Sequence, residues 1–428
     1  MKIEKLAITA ILGLFTASSL ARADNSLTVL HSFTSEDNNG VFPKAGLLFA
    51  TNGSFYGTTS GVRMNGSGRR IRPTIFRITP NGTFLTVAYF DRTNIDGTKP
   101  GPWQSDELLS SDLIQGKDGN LYGAAVLGGM NGYGQVFKMT LDGKVTTLHS
   151  FEGYSGTNGW GPQSGVIEGQ DGWFYGTAYN GGVKMRTDNV GMGTVYKVRT
   201  DGTLKTLFHF MGTNGEFPAS GLIVGKDGNY YGTTAYGGPS YAKGPPEHGF
   251  GTVFQLTTNG GFTTLFSFDG TNGSQPFAGL ARGSDGAFYG TTKFGGLGYG
   301  TIFRVTPTGD FTSLFSFDGT NGARPGCALV KATDGSLYGT TEFGGENYKG
   351  PQAGIEHLFY KTFGTIFRVT TNGTFTHLFS FSPATGAHPS AGLAEGENGS
   401  LYGTTTDGGA KGGGTIFRFT VPRESGRP

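Results

Sequence analysis

Four side chains in this sequence have the types that acid–base chemistry would ask for. Asp106, Glu107 and Asp112 fall close together, and His388 lies far along the chain. Two carboxyl groups held about 5–10 Å apart across one pocket can break a glycosidic bond, one protonating the leaving oxygen and the other attacking or activating water. On that reading the chain is a carbohydrate-active hydrolase or lyase. The plainer reading is one irregular unit whose long loop plugs a channel, because nothing in the sequence holds these groups at a set separation.

Other chemistries lack support. The sequence contains no His-Glu-x-x-His, no paired cysteines and no Gly-x-Ser-x-Gly elbow, so neither a zinc hydrolase nor an α/β-hydrolase is indicated. The repeated Asp-Gly pairs read as hairpin turns, since a calcium cage needs several oxygens converging on one point. No metal and no cofactor is therefore expected. The lone cysteine, Cys327, reads as a small buried hydrophobe and excludes an intramolecular disulfide framework. A formal net charge of +2 provides no field to gather nucleic acid. Of the seven histidines, His31, His149, His209 and His377 sit in strand-like runs at sheet edges, while His248, His357 and His388 belong to loops.

A second group of residues suits binding. Trp103, Tyr241, Phe359 and Tyr360 are aromatics in long loops, and Arg70 and Arg324 are cations beside them. Aromatic faces and amides match sugar rings and hydroxyls. Arg63, Arg69, Arg70 and Arg72 form a basic cluster that could meet anionic glycans, or could be a solvated loop.

What positions all of these is a repeat. A Tyr-Gly pair recurs at Tyr56, Tyr122, Tyr175, Tyr231, Tyr289, Tyr338 and Tyr402. Each copy carries four strand-like runs, in the fifth Pro276 to Arg282 (A), Ala287 to Thr292 (B), Gly300 to Thr306 (C) and Phe311 to Phe317 (D). Thirteen positions separate the strand A proline from the strand B tyrosine, as in Pro276 to Tyr289, and fourteen separate the strand C aromatic from the last Phe of strand D, as in Phe303 to Phe317. The B/C and D/A steps vary instead, which puts every insertion on one face of an antiparallel sheet. The last repeat has a strand C, Gly414 to Thr420, and no room for strand D; Leu27 to Phe33 matches the missing strand. The expected fold is therefore all-β: a single seven-bladed β-propeller, four antiparallel strands per blade, closed by Leu27–Phe33 completing blade 7.

Within that frame the repeated tyrosines read as packing between adjacent sheets. The Thr-Thr that follows reads as strand propensity, with hydroxyls bonding locally. Three positions after the strand A proline stands Gly46, Gly165, Gly221, Gly279, Ala328 or Gly392, and only blade 2 places an acid there, Asp112. Residues before the proline (Phe42, Gly161, Phe217, Gln275, Arg324, His388) and after Thr-Thr (Ser60, Tyr179, Ala235, Lys293, Glu342, Thr406) differ from blade to blade. Such variation around one rim is what a binding surface would show, and what unconstrained loops would show.

At the start of the chain, Lys2 and Lys5, the apolar run Leu6 to Leu20 and Ala21-Arg-Ala23 read as a secretory signal over residues 1–23. Residues 24–420 form the propeller and 421–428 a polar tail.

The motifs Asp-Gly-x-[Leu/Phe/Tyr]-Tyr-Gly-Thr-Thr, Gly-Gly, Gly-Thr-[Val/Ile]-Phe and Leu-[Phe/His]-Ser-Phe resemble the GloVer tandem-repeat family of exported bacterial proteins, over about Leu27 to Thr420. The resemblance implies a β-propeller, often held at the cell surface by varied C-terminal anchors, and carries over no activity. No anchor is evident here. The expectation is an exported, monomeric, non-enzymatic binding or scaffold protein, periplasmic, extracellular or surface-associated. Its partner would be polysaccharide or another protein on the B/C and D/A loop face, with no nucleic acid and no transmembrane segment.

Overall fold

The computed structural model describes residues 26–36, 39–63, 70–90, 111–183, 190–241, 248–350 and 362–421. They form seven four-stranded antiparallel sheets arranged as the blades of a ring. In blade 5 the strands are Ala281–Arg282 (A), Phe288–Thr292 (B), Thr301–Val305 (C) and Phe311–Ser316 (D). Strand A is shorter than the sequence suggests: its ladder holds only Ala281 and Arg282, and residues 277–280 line the axial cavity instead. Blade 7 unites Leu27–Ser32 with Thr415–Phe419, Leu401–Thr405 and Ala394–Glu395, with Leu27 opposite Phe419. The first strand among the described residues thus closes the ring. One further pair, Val62–Arg63 with Arg70–Ile71, is a small hairpin in the B/C insert of blade 1.

The burial pattern explains the repeat. Every residue of Phe288–Thr292 is buried, and in Thr301–Val305 only Arg304 is not. Strands B and C are covered on both faces because each blade packs between two others. Gly290 must be glycine, since a Cβ there would lie 2.5 Å from the Phe303 ring. Tyr289 is 0% exposed and its hydroxyl donates to Asp285 Oδ2 at 3.0 Å. Arg304 donates to the same carboxylate oxygen at 2.8 Å. The Asp-Gly turn thus holds its own tyrosine and a strand C cation.

Contacts between blades repeat as well. Tyr122, Tyr175, Tyr231 and Tyr402 each lie against the aromatic one position before the next blade's tyrosine, at 4.0–4.1 Å between centroids. Strand D adds an outer layer, as Phe208 on Phe262 at 3.9 Å and Phe266 on Phe311 at 3.8 Å. His31 takes the phenylalanine's place in this layer, stacking on Phe84 at 3.9 Å. The Thr-Thr pair corrects the expectation of local bonding. The second threonine does bond locally, as Thr292 with Thr301 at 2.7 Å. The first reaches the next blade: Thr177 Oγ1 donates to the Ser220 carbonyl at 3.0 Å, and Thr404 Oγ1 to that of Ala45 at 3.4 Å across the closure.

Candidate functional site

Where the seven A segments meet, they line an axial cavity of about 270 Å³ to which every blade contributes. Its waist is set by the small residue three after the proline. A Cβ on Gly392 would lie 3.2 Å from the Ala328 carbonyl, and one on Gly165 only 2.2 Å from that of Asp112. Asp112 departs from this rule, and its carboxylate spans to blade 1, where the Gly46 N–H donates to Oδ1 at 2.6 Å. The group opens on the channel but is walled in by the surrounding blades. That burial raises its pKa above the ordinary carboxylate value, with the Gly46 amide pulling the other way. Among the described residues lining this cavity Asp112 is the only acid. Cys327 also faces it, with its thiol held by Thr340 Oγ1 at 3.0 Å and pushed up in pKa by burial, as suits a packing residue.

Above the waist the rim has an unusual backbone. Phe42, Phe217, Gln275, Arg324 and His388 all have φ between 54° and 57°, and Gly161 in the same place has φ 66°. This left-handed region is costly for residues with a Cβ. Each is pinned on both sides. The Arg324 N–H donates to the Tyr299 carbonyl of the preceding blade at 2.8 Å, and its own carbonyl accepts from the Glu342 N–H at 3.2 Å. Gln275 and His388 repeat the arrangement with Phe250 and Lys293, and with Phe363 and Thr406. The two sets of variable rim residues are thus bonded to each other in pairs.

Their side chains divide the mouth into two arcs. In blades 3 to 5 Tyr179 stacks on Phe217 at 4.8 Å, and Tyr236 meets Phe217 and Phe277 edge-on at 6.1 and 5.9 Å. Burial, then the charges of Tyr236 and Glu216, push the Tyr179 hydroxyl up to about 12. Beneath this arc lies Glu216, fully buried, with His248 Nδ1 3.3 Å from its Oε2. In blades 5 to 7 the arc is charged: Lys293 pairs with Glu342 at 3.6 Å, and the Arg324 guanidinium lies over Phe294 and Phe343 at 5.1 and 5.4 Å. His388 Nδ1 sits 3.0 Å from Asp407 Oδ2 and Nε2 3.2 Å from the Thr362 carbonyl. These groups are half-buried, so they are held in place and still reachable.

Of the residues singled out in the sequence, the structure brings Arg324 and His388 to this rim and Asp112 to the waist below it. Tyr241 is half-buried and covers Gly212, where a Cβ would lie 2.6 Å from its ring. Arg70 belongs to the blade 1 hairpin, and only its backbone is described. Trp103, Asp106, Glu107, Phe359 and Tyr360 lie outside the described residues. Glu216 and Asp407 were missed. Glu216 had a signal, being the only charged residue two before a strand A proline: Val41, Trp160, Ser274, Ala323 and Ala387 stand there in the other five proline-bearing blades, and Glu107 takes the equivalent place in blade 2, which has Leu109 for the proline.

The pattern of the Gloeobacter/Verrucomicrobia repeat family matches residues 109–353. The chain belongs to this family. Among solved structures, this family member is similar to the extracellular domain assigned to a hybrid two-component system of B. thetaiotaomicron, at 12% identity and a TM-score of 0.51. The match covers 92% of this chain and 41% of that one, so the repeat chain spans about two-fifths of that structure's length. A gluconolactonase from Xanthomonas campestris matches at 14% identity and a TM-score of 0.41, over 71% of this chain and 82% of that one. At 12% identity the likeness to the extracellular domain speaks to the fold alone. No curated protein matches the chain in sequence. Among the described residues no helix is long and apolar enough to cross a membrane, and no three His, Cys, Asp or Glu side chains gather as a metal site.

Proposed function

We propose that this protein is an exported binding propeller that captures polysaccharide on the B/C and D/A loop face, at the mouth of its axial channel. The observation that carries the reading is the rim itself. Five non-glycine residues at equivalent positions hold the same costly backbone conformation while presenting Phe, Phe, Gln, Arg and His. Strain kept at fixed places with changing chemistry is the mark of a surface built to present side chains. The aromatic arc around Tyr179, Phe217 and Tyr236 offers flat faces to sugar rings, and Arg324, Lys293 and His388 offer polar ends. Residues 1–23 act as the export signal in this reading, and residues 24–420 as the mature ring.

Glycan-array binding of the mature protein tests it. Tyr179→Ala and Arg324→Ala should each weaken capture about tenfold or more while the protein still unfolds in one cooperative transition. Binding that survives both and fails on altering the Asp285 turn reverses the assignment. A catalytic reading has one observation behind it, the burial-raised carboxyl of Asp112 at the channel waist. Turnover of a bound glycan that is lost in Asp112→Asn would establish it.

A further inference from the structure

The ring has one irregular junction on the face opposite the rim. At six junctions the C/D turn of one blade lies on strand D of the blade before it. A Cβ on the turn glycine would meet the carbonyl of Val87 at 2.1 Å (Gly143), Leu148 at 2.7 Å (Gly202) or Leu265 at 2.8 Å (Gly309). Gly82, Gly260 and Gly373 sit likewise on Leu30, Leu207 and Leu314. Buried tyrosines also reach these turns, as Tyr289 does in donating to the Thr371 carbonyl at 3.4 Å. In blade 7 strands C and D come from opposite ends of the chain, so no turn joins Phe419 to Leu27. There, between blades 6 and 7, lies a cavity of about 600 Å³, more than twice the axial one.

The walls of this cavity are polar groups already held in place. Asp334 Oδ1 accepts the Ser336 N–H and Oδ2 the Tyr338 hydroxyl, both at 2.8 Å. Glu395 accepts the Thr333 N–H at 2.9 Å and its hydroxyl at 2.7 Å. Arg368, Asn398, Ser400 and Thr371 add donors and acceptors, and Ala332 and Val421 supply apolar surface. Two carboxylates stand against one guanidinium, so the walls disfavour an anion. Fixed acceptors beside hydroxyls and an amide suit a ligand whose every polar group both donates and accepts. The volume lies in the range of about 300–1,000 Å³ typical of small-ligand pockets.

We propose that this seam between blades 6 and 7 is a second binding site, taking a neutral saccharide of one or two rings. It is independent of the polysaccharide surface at the rim and would stand if that surface bound something else. The test is calorimetric titration of the full mature chain with cellobiose, maltose and lactose, and with glucuronate as the anionic comparator. At least one neutral sugar should bind saturably at millimolar concentration or below. Thr371→Trp, which fills the cavity from an exposed turn, and Arg368→Met, which removes its cation, should each weaken that sugar about tenfold or more. Thr371→Ala and the rim variant Arg324→Ala should leave it unchanged, with unfolding midpoints confirming that all four variants fold. Absence of saturable binding, binding untouched by Thr371→Trp, binding lost in Arg324→Ala, or glucuronate held more tightly than the neutral sugars would each overturn the proposal.

Discussion

The two faces of the ring obey different rules. On the fixed-turn face an acid or amide stands four residues before each tyrosine, and backbone and chemistry repeat together: Asp118, Asp171, Asp227, Asp285 and Asp334 each accept their own tyrosine's hydroxyl at 2.7–3.0 Å. On the rim face the backbone repeats and the chemistry does not, since one left-handed conformation carries Phe, Gln, Arg or His. A fold needs both to repeat, because each blade must fit its neighbours. A recognition surface needs only the backbone to repeat, because that is what aims the side chains.

The largest effect should come from breaking the ring that both faces share. Deleting residues 26–33 removes the strand paired with Thr415–Phe419 and should abolish cooperative unfolding; a single sharp transition in calorimetry would contradict the closure. Next is the repeated chemistry. Tyr289→Ala should cost about 3–5 kcal/mol in urea unfolding, whereas Tyr289→Phe, which loses the hydroxyl's contacts with Asp285 and the Thr371 carbonyl and keeps the ring, should cost about 1 kcal/mol. Equal costs would mean that the hydroxyl, not the ring, matters.

The rim should respond with the opposite sign. Gln275→Gly relieves a φ of 57° and should stabilise the protein by about 1 kcal/mol. Arg324→Gly should do the same to a lesser extent, because it gives up the contact with Phe294 and Phe343, and should also lose ligand. A destabilised Gln275→Gly would show that the left-handed rim carries no strain.

The smallest effect separates two aspartates by pH. Burial raises the native pKa of Asp112, so its neutral form is favoured on folding and the native state is penalised as pH rises through that value. Asp112→Asn should therefore raise the midpoint at neutral pH, with the gain fading in acid. Asp285 is the reverse: partial burial pushes its pKa up, but the Arg304 and Ala287 bonds outweigh this and lower it. Its stabilisation is present above the ordinary carboxylate value and is lost as pH falls through the lower native one. Asp285→Asn should thus lower the midpoint at neutral pH and converge with the parent in acid. Parallel curves for the two variants would refute the contrast.

Blade number, the four-strand pattern, the face that takes insertions and the closing role of Leu27–Ser32 were all legible in the sequence. They rest on local spacing repeated seven times, and a hydrophobic pattern recurring at fixed distance admits few arrangements that bury it. The burial of the tyrosines was legible for the same reason. What only the tertiary structure decided depends on partners in other blades. The first threonine of Thr-Thr bonds to the next blade's carbonyl, and at the closure that carbonyl, Ala45, is 359 positions away. Strand A shortened because its first residues serve the channel rather than a ladder. The rim positions recur one before each strand A proline, but their left-handed backbone is fixed by hydrogen bonds to the preceding blade and to strand B, and the His248 partner of Glu216 and the seam cavity arise where unlike segments meet in space.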